Sequence, residues 1–276
     1  MMKPFSIFCL ITIFVVPAWT GVVFEVETKD HGDSGKAGTT QISAEGKNLK
    51  MDIQPGDRGG ESEAIFHGDR REMVVVDHNN KAYMVIDQEA IKAIVGQVGS
   101  MMSQMEEALK NVPESQRAMV EEMMKKKMPQ KSQKASLNIE ARKAGGKKKV
   151  NGYPTIGYEV LVNGKRSQEL WVTPWSNIEG GKDAKEAFGE MGSFFKEMME
   201  AFSSMGGGDK QTKKMGGAFF AVLEELDGFP VVTKSFNDDG SLDTESELRS
   251  SKRMKLDPAD FEPPAGYKRQ QMFGGK

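Results

Sequence analysis

The sequence predicts a mainly β (α+β) fold: a curved antiparallel sheet or half-barrel with Met-rich amphipathic helices inserted across it. Three observations predict it. Short runs of period-two alternation recur from Val22 to Ile86, as in the strands of a meander. The period then changes to steps of three and four in two Met-rich stretches, as on one face of a helix. Finally, Asn163-Gly164 joins two alternating runs, and this pair suits a two-residue hairpin turn with positive φ at both positions.

The first residues read as an address. Lys3 precedes an apolar run, Phe5 to Val16, and Pro17, Ala18, Trp19 and Thr20 break it before Gly21. This is the layout of a secretory signal, and the run is shorter than the roughly 20 apolar residues that span a bilayer. Cleavage is expected near Thr20–Gly21, leaving a periplasmic or secreted protein. The lone cysteine, Cys9, leaves with that segment, so no disulfide, thiol nucleophile or thiolate ligand is expected.

One domain is expected over 21–267, with helical insertions at about 88–128 and 183–226 and a loose tail at 268–276. Val22, Phe24, Val26 and Thr28 mark the first strand. Thr39 to Glu45, Asn48 to Ile53, Ser62 to His67, Met73 to Asp77 and Ala82 to Ile86 complete six, with Asn79-Asn80 as a turn. Ile91, Ile94, Val98, Met101, Met105 and Ala108 then share a helix face, with Asp87 as N-cap and Ala90 at N3. Pro113 ends that pattern, and a second helix from Glu114 carries Met119, Met123, Met124 and Met128 up to Pro129. Strand character returns at Leu137, Ile139 and Ala141, then in the hairpin Tyr153–Val162 and Lys165–Thr173. A third helix over Ala184–Ser204 aligns Phe188, Met191, Phe195, Met198 and Phe202. Gly206–Gly208 forms a break, and a short helix follows around Phe219, Leu223 and Leu226. Gly228–Phe236 and Leu242–Met254 form a closing strand pair, and Asp257–Phe261 one helical turn.

Familiar catalytic patterns are absent. Gly32-Asp33-Ser34-Gly35-Lys36 has Lys36 where a nucleophile elbow needs glycine. No phosphate loop and no His-Glu-x-x-His occur. His31, His67 and His78 show no short ligand spacing, so neither metal nor cofactor is expected, and His78 reads as a turn histidine in solvent. With 38 basic and 40 acidic residues and a net charge of −2, no global field favours nucleic acid. The run Lys125-Lys126-Lys127 lies on a Met-rich helix beside Glu121 and Glu122. It suits either peripheral contact with an anionic membrane or a solvated helix face.

The 19 methionines are the informative feature. Methionine is flexible and polarizable and lines surfaces that adapt to apolar partners. The expected hydrophobic-ligand residues are Ile94, Val98, Met101, Met105, Met119, Met123, Met191, Phe195, Met198 and Phe202. The same stripes also read as plain core. A Cu(I) thioether site fits poorly, because methionine alternates with Ile, Val and Phe rather than with polar residues.

Three stretches carry a family resemblance: Val150-Asn151-Gly152-Tyr153 with Tyr158-Glu159-Val160, Glu169-Leu170-Trp171-Val172-Thr173-Pro174-Trp175, and Leu256 to Tyr267. They resemble the exported bacterial family known as domain of unknown function 4412, across about 135–267. That family is similar in fold to the periplasmic lipoprotein carriers, so the resemblance implies a half-barrel with an apolar cavity for acyl chains and implies no reaction. The function expected is therefore binding of an acyl chain, lipoprotein or apolar peptide in the cell envelope. The alternatives are an envelope-assembly factor that docks a protein partner through its Met-rich helices, and a hydrolase with a non-standard site.

Overall fold

The computed structural model describes residues 21–32, 37–54, 61–110, 138–204, 220, 222–223, 225–226 and 228–271. The expected signal segment, the helix expected from Glu114, and the Gly206–Gly208 break lie outside the described residues.

Six strands follow one another in a meander: β1 (Gly21–Asp30), β2 (Ala37–Glu45), β3 (Asn48–Gln54), β4 (Ser62–His67), β5 (Glu72–Asp77) and β6 (Ala82–Ile86). Helix α1 (Gln88–Lys110) comes next. Its N-cap is the expected one, since the Ala90 N–H donates to Asp87 Oδ1 at 2.7 Å. A second meander runs through β7 (Ile139–Val150), β8 (Tyr153–Val162), β9 (Lys165–Thr173), β10 (Phe229–Phe236) and β11 (Leu242–Met254), with helix α2 (Gly181–Ser204) between β9 and β10. Asn163 and Gly164 turn β8 into β9 with φ of 52° and 77°, the conformation the hairpin turn requires.

These strands and β12 (Lys268–Gln270) form one 12-stranded sheet in the order β12-β6-β5-β4-β3-β2-β1-β11-β10-β9-β8-β7. The sheet is curved and unclosed. Its two meanders are joined where β1 pairs antiparallel with β11, so β10 and β11, expected as a closing pair, lie mid-sheet. Two strands exceed expectation. β7 continues through Gly145-Gly146 to Val150, with a register shift between Lys143 and Lys147. Lys268 to Gln270, expected as loose tail, pair in parallel with Ala82 to Met84. The Lys268 N–H donates to the Lys81 carbonyl at 3.0 Å, so backbone pairing alone orders three exposed polar residues there.

One face of the sheet is covered by helix. Val22, Phe24, Ala44, Leu49, Phe66 and Met73 form a single cluster with Phe188, Met191 and Phe194 of α2. Phe188 packs 5.8 Å from Phe24, 5.6 Å from Trp175 and 5.5 Å from Phe229, centroid to centroid. Each such buried side chain stabilises by about 1.5–3 kcal/mol. Toward β7, a second cluster joins Val160, Leu170 and Val172 to Val222 and Leu226. The opposite face of the first meander is crossed by the chain end, where Leu256 and Phe261 pack on Ile65, Val74 and Val76. A 3-10 turn at Pro258–Phe261 opens with Asp257 and Asp260 capping each other's backbone.

Candidate functional site

Cross-strand register sorts the helix-covered face of the first meander into rows. The row Val22–Ala44–Leu49–Phe66–Met73 is buried, all five being at most 7% exposed. The next row starts at buried Phe24 and runs through Ile42, Met51, Ala64, Val75 and Met84. Those five are only half-buried. In the row beyond, Thr40, Ile53 and Ser62 stand in register, and Ile53 is 39% exposed. Apolar side chains therefore continue past the cover that α2 supplies. The alternation that makes these strands puts Ile42, Met51, Val75 and Met84 on one face, and register lines them up across it.

Helix α2 is tied along its length to the β2–β3 and β4–β5 turns and to β11 by ion pairs. Lys47, in the β2–β3 turn, lies 3.2 Å from Glu190 and 3.6 Å from Glu186. Arg71, in the β4–β5 turn, lies 2.7 Å from Glu197 and 3.6 Å from Glu190. Arg253 of β11 holds Asp183 at 2.7 Å. The hydrogen bond to Glu190 and its charge hold the Lys47 ammonium above its ordinary range.

The residues singled out from sequence fall into three groups. Met191, Phe195 and Met198 are buried in the cluster between α2 and the sheet. Ile94 is buried on α1 at 6% exposure. Val98, Met101 and Met105 lie further along α1, and Phe202 near the end of α2; their side chains, with all of Met119 and Met123, lie outside the described residues. Sequence reasoning passed over the sheet row itself, although the alternation of Met51, Val75 and Met84 was the available signal.

The opposite face carries a hollow of about 580 Å³, lined among others by Val23, Glu25, Asp52, Glu63, His78 and Lys252. His78, expected in solvent, is held on both sides: Nε2 lies 3.3 Å from Glu63 Oε2, and Nδ1 lies 3.0 Å from the Tyr267 hydroxyl. The contact with Tyr267 is a hydrogen bond, while the Glu63 carboxylate stands at ion-pair distance without hydrogen-bond alignment. Glu63, almost fully buried, is also 3.5 Å from Lys50, which in turn reaches Asp52 at 3.3 Å. This chain of groups links β4 and the β5–β6 turn to the chain end. His67 fastens it too: its buried ring donates from Nε2 to the Phe261 carbonyl at 2.6 Å. Its Nδ1 lies 3.2 Å from Glu72 Oε1 but is not aligned for a hydrogen bond. Among the described residues no group of three or more His, Cys, Asp or Glu is arranged to hold a metal ion.

No family profile matches the chain, that of domain of unknown function 4412 included, and no curated protein matches it. Among solved structures, an uncharacterized conserved protein from Thermus thermophilus is similar with a TM-score of 0.43 at 8% identity, over 92% of this chain and 91% of that one. MucB of Pseudomonas aeruginosa in complex with MucA gives a TM-score of 0.36 at 10% identity, over 89% of this chain and 56% of that one. A LolA-superfamily protein from Nitrosomonas europaea gives 0.28 at 6% identity, over 88% and 89%. Likenesses this distant decide neither family nor function.

Proposed function

We propose that this chain is a non-catalytic, exported binding protein that takes an elongated apolar ligand, such as an acyl chain, on the helix-covered face of its sheet. The observation that carries the reading is the half-buried row Ile42–Met51–Ala64–Val75–Met84, an apolar floor that runs on from the core without full cover. It crosses five strands, so at an interstrand spacing of about 4.8 Å it is roughly 19 Å long, a length that suits an extended acyl chain. In this reading Met191, Phe195 and Met198 form the end wall where the floor passes beneath α2, and α1 borders the floor at Ile94. Methionines on floor and wall let the groove adjust to chains of different shape.

Native mass spectrometry of the chain purified from its own envelope without detergent tests this. The expected result is a mass excess that disappears on denaturation and matches a lipid. A clean apo mass that does not shift on adding fatty acids contradicts the reading. Recovery of one stoichiometric protein and no lipid selects an apolar protein surface as the occupant instead.

A further inference from the structure

We infer that the outer edge of the sheet, strand β7, is a docking surface for an anionic membrane. Arg142, Lys143, Lys147, Lys148 and Lys149 are all exposed on this 12-residue strand. Its one carboxylate, Glu140, is taken by Arg142 at 2.7 Å. Lys143, Lys147 and Lys149 have no carboxylate partner among the described residues. Several cations elsewhere on the sheet are matched, Lys50 with Asp52 and Glu63, Lys234 with Glu245, Arg249 with Glu27 and Glu247; Lys165, Lys252, Lys268 and Arg269 are not, but among the described residues they are spread over three strands, at most two to a strand. In a chain whose net charge is −2, a strip of unmatched lysines on one edge attracts an anionic surface locally.

Two features favour a surface over an added acidic strand. Successive side chains of a strand point to opposite faces, so Lys147, Lys148 and Lys149 spread their ammonium groups on both sides of the edge. The insertion around Ala144–Gly146 breaks the ladder, since Lys143 pairs with Tyr158 but Lys147 with Ile156; a partner strand has only short runs of backbone to join, and edge lysines discourage strand addition in general. Behind the lysines, Trp171 is half-buried, its ring under the Lys148 ammonium at 3.4 Å and its Nε1–H donating to Glu169 at 2.8 Å. Half-buried Tyr153 sits at the end of the same hairpin. Aromatic rings beside lysines suit the boundary between headgroups and acyl chains. This contact is independent of whether the groove holds an apolar ligand.

The test is co-sedimentation of the chain from Gly21 to Lys276 with vesicles of phosphatidylcholine containing about 30% phosphatidylglycerol, at low salt, against pure phosphatidylcholine vesicles. Binding is expected to the anionic vesicles only and to fade at high salt. The variant Lys147→Gln with Lys149→Gln leaves Lys148 on Trp171 and is expected to weaken binding about 25-fold, at about fivefold per lysine near the surface. Lys147→Arg with Lys149→Arg is expected to bind as the parent does. Equal binding to both vesicle types, or unchanged binding by the Gln variant with parental circular dichroism, overturns the inference. So does binding of polyglutamate with no vesicle binding, which makes the edge a protein-docking strand.

Discussion

Replacing Phe188 by alanine tests whether α2 is core or a loosely seated lid. Phe188 is 2% exposed and touches three rings, Phe24, Trp175 and Phe229, at centroid distances of 5.5–5.8 Å. Loss of the buried side chain costs about 2–3 kcal/mol in transfer alone. The cavity left behind and the lost ring contacts bring Phe→Ala to about 3–5 kcal/mol. Set against a total stability of about 5–15 kcal/mol, the variant still folds but is much weakened. With a urea slope of about 3 kcal/mol per M, the midpoint falls by about 1–1.7 M. Urea unfolding followed by tryptophan fluorescence reads this, since buried Trp175 lies 5.6 Å from Phe188. A loss below about 1 kcal/mol refutes the reasoning, because it means α2 can lift from the sheet at little cost.

Other outcomes follow from single contacts. Gly157→Ala places a Cβ 2.8 Å from the Gly145 Cα and 3.1 Å from Trp171. Because backbone rather than a side-chain tip must move, it is expected to cost about 1–3 kcal/mol and to speed amide exchange along β7; unchanged exchange contradicts this. His67→Ala removes the donor to the Phe261 carbonyl and is expected to cost about 1–3 kcal/mol, with faster exchange confined to 256–270. Global loosening instead would show that the chain end is not a separate clasp. The hydrogen bond from Arg249 holds the Glu27 carboxyl below the usual carboxylate range. A depressed folded-state value contributes stability above the ordinary carboxylate value, and that contribution is lost as pH falls through the depressed one. Arg249→Gln is expected to move the Glu27 midpoint upward in a carboxyl-carbon NMR titration; an unmoved midpoint excludes the Arg249 contact in solution.

What the sequence makes legible is local. Strict alternation marks β1 and β8, steps of three and four mark α1 and α2, and Asn163-Gly164 marks its hairpin, because each signal lies within one element. β7 beyond Ala141 escapes that reading: an edge strand has little apolar face to alternate, and Gly145-Gly146 punctuates it like a turn. β12 escapes it too, because Lys268-Arg269-Gln270 is polar throughout and is ordered by backbone pairing with β6. The pairing of β1 with β11 joins Val22 to Arg253, and no local pattern encodes a register between positions so far apart. The same distance hides the clasp of His78 on Tyr267, 189 residues on. The half-buried row is visible in the sequence residue by residue, yet Ile42, Met51, Val75 and Met84 line up only once the register of five strands is known.

The central claim is that this row receives an apolar ligand. The most direct measurement is a methyl NMR spectrum of methionine-labelled protein, stripped of bound lipid, titrated with a long-chain fatty acid. The Met51 and Met84 methyl signals are expected to shift saturably, while that of Met254, in the hollow on the opposite face, stays in place. No saturable shift at Met51 and Met84, or a shift at Met254 alone, contradicts it.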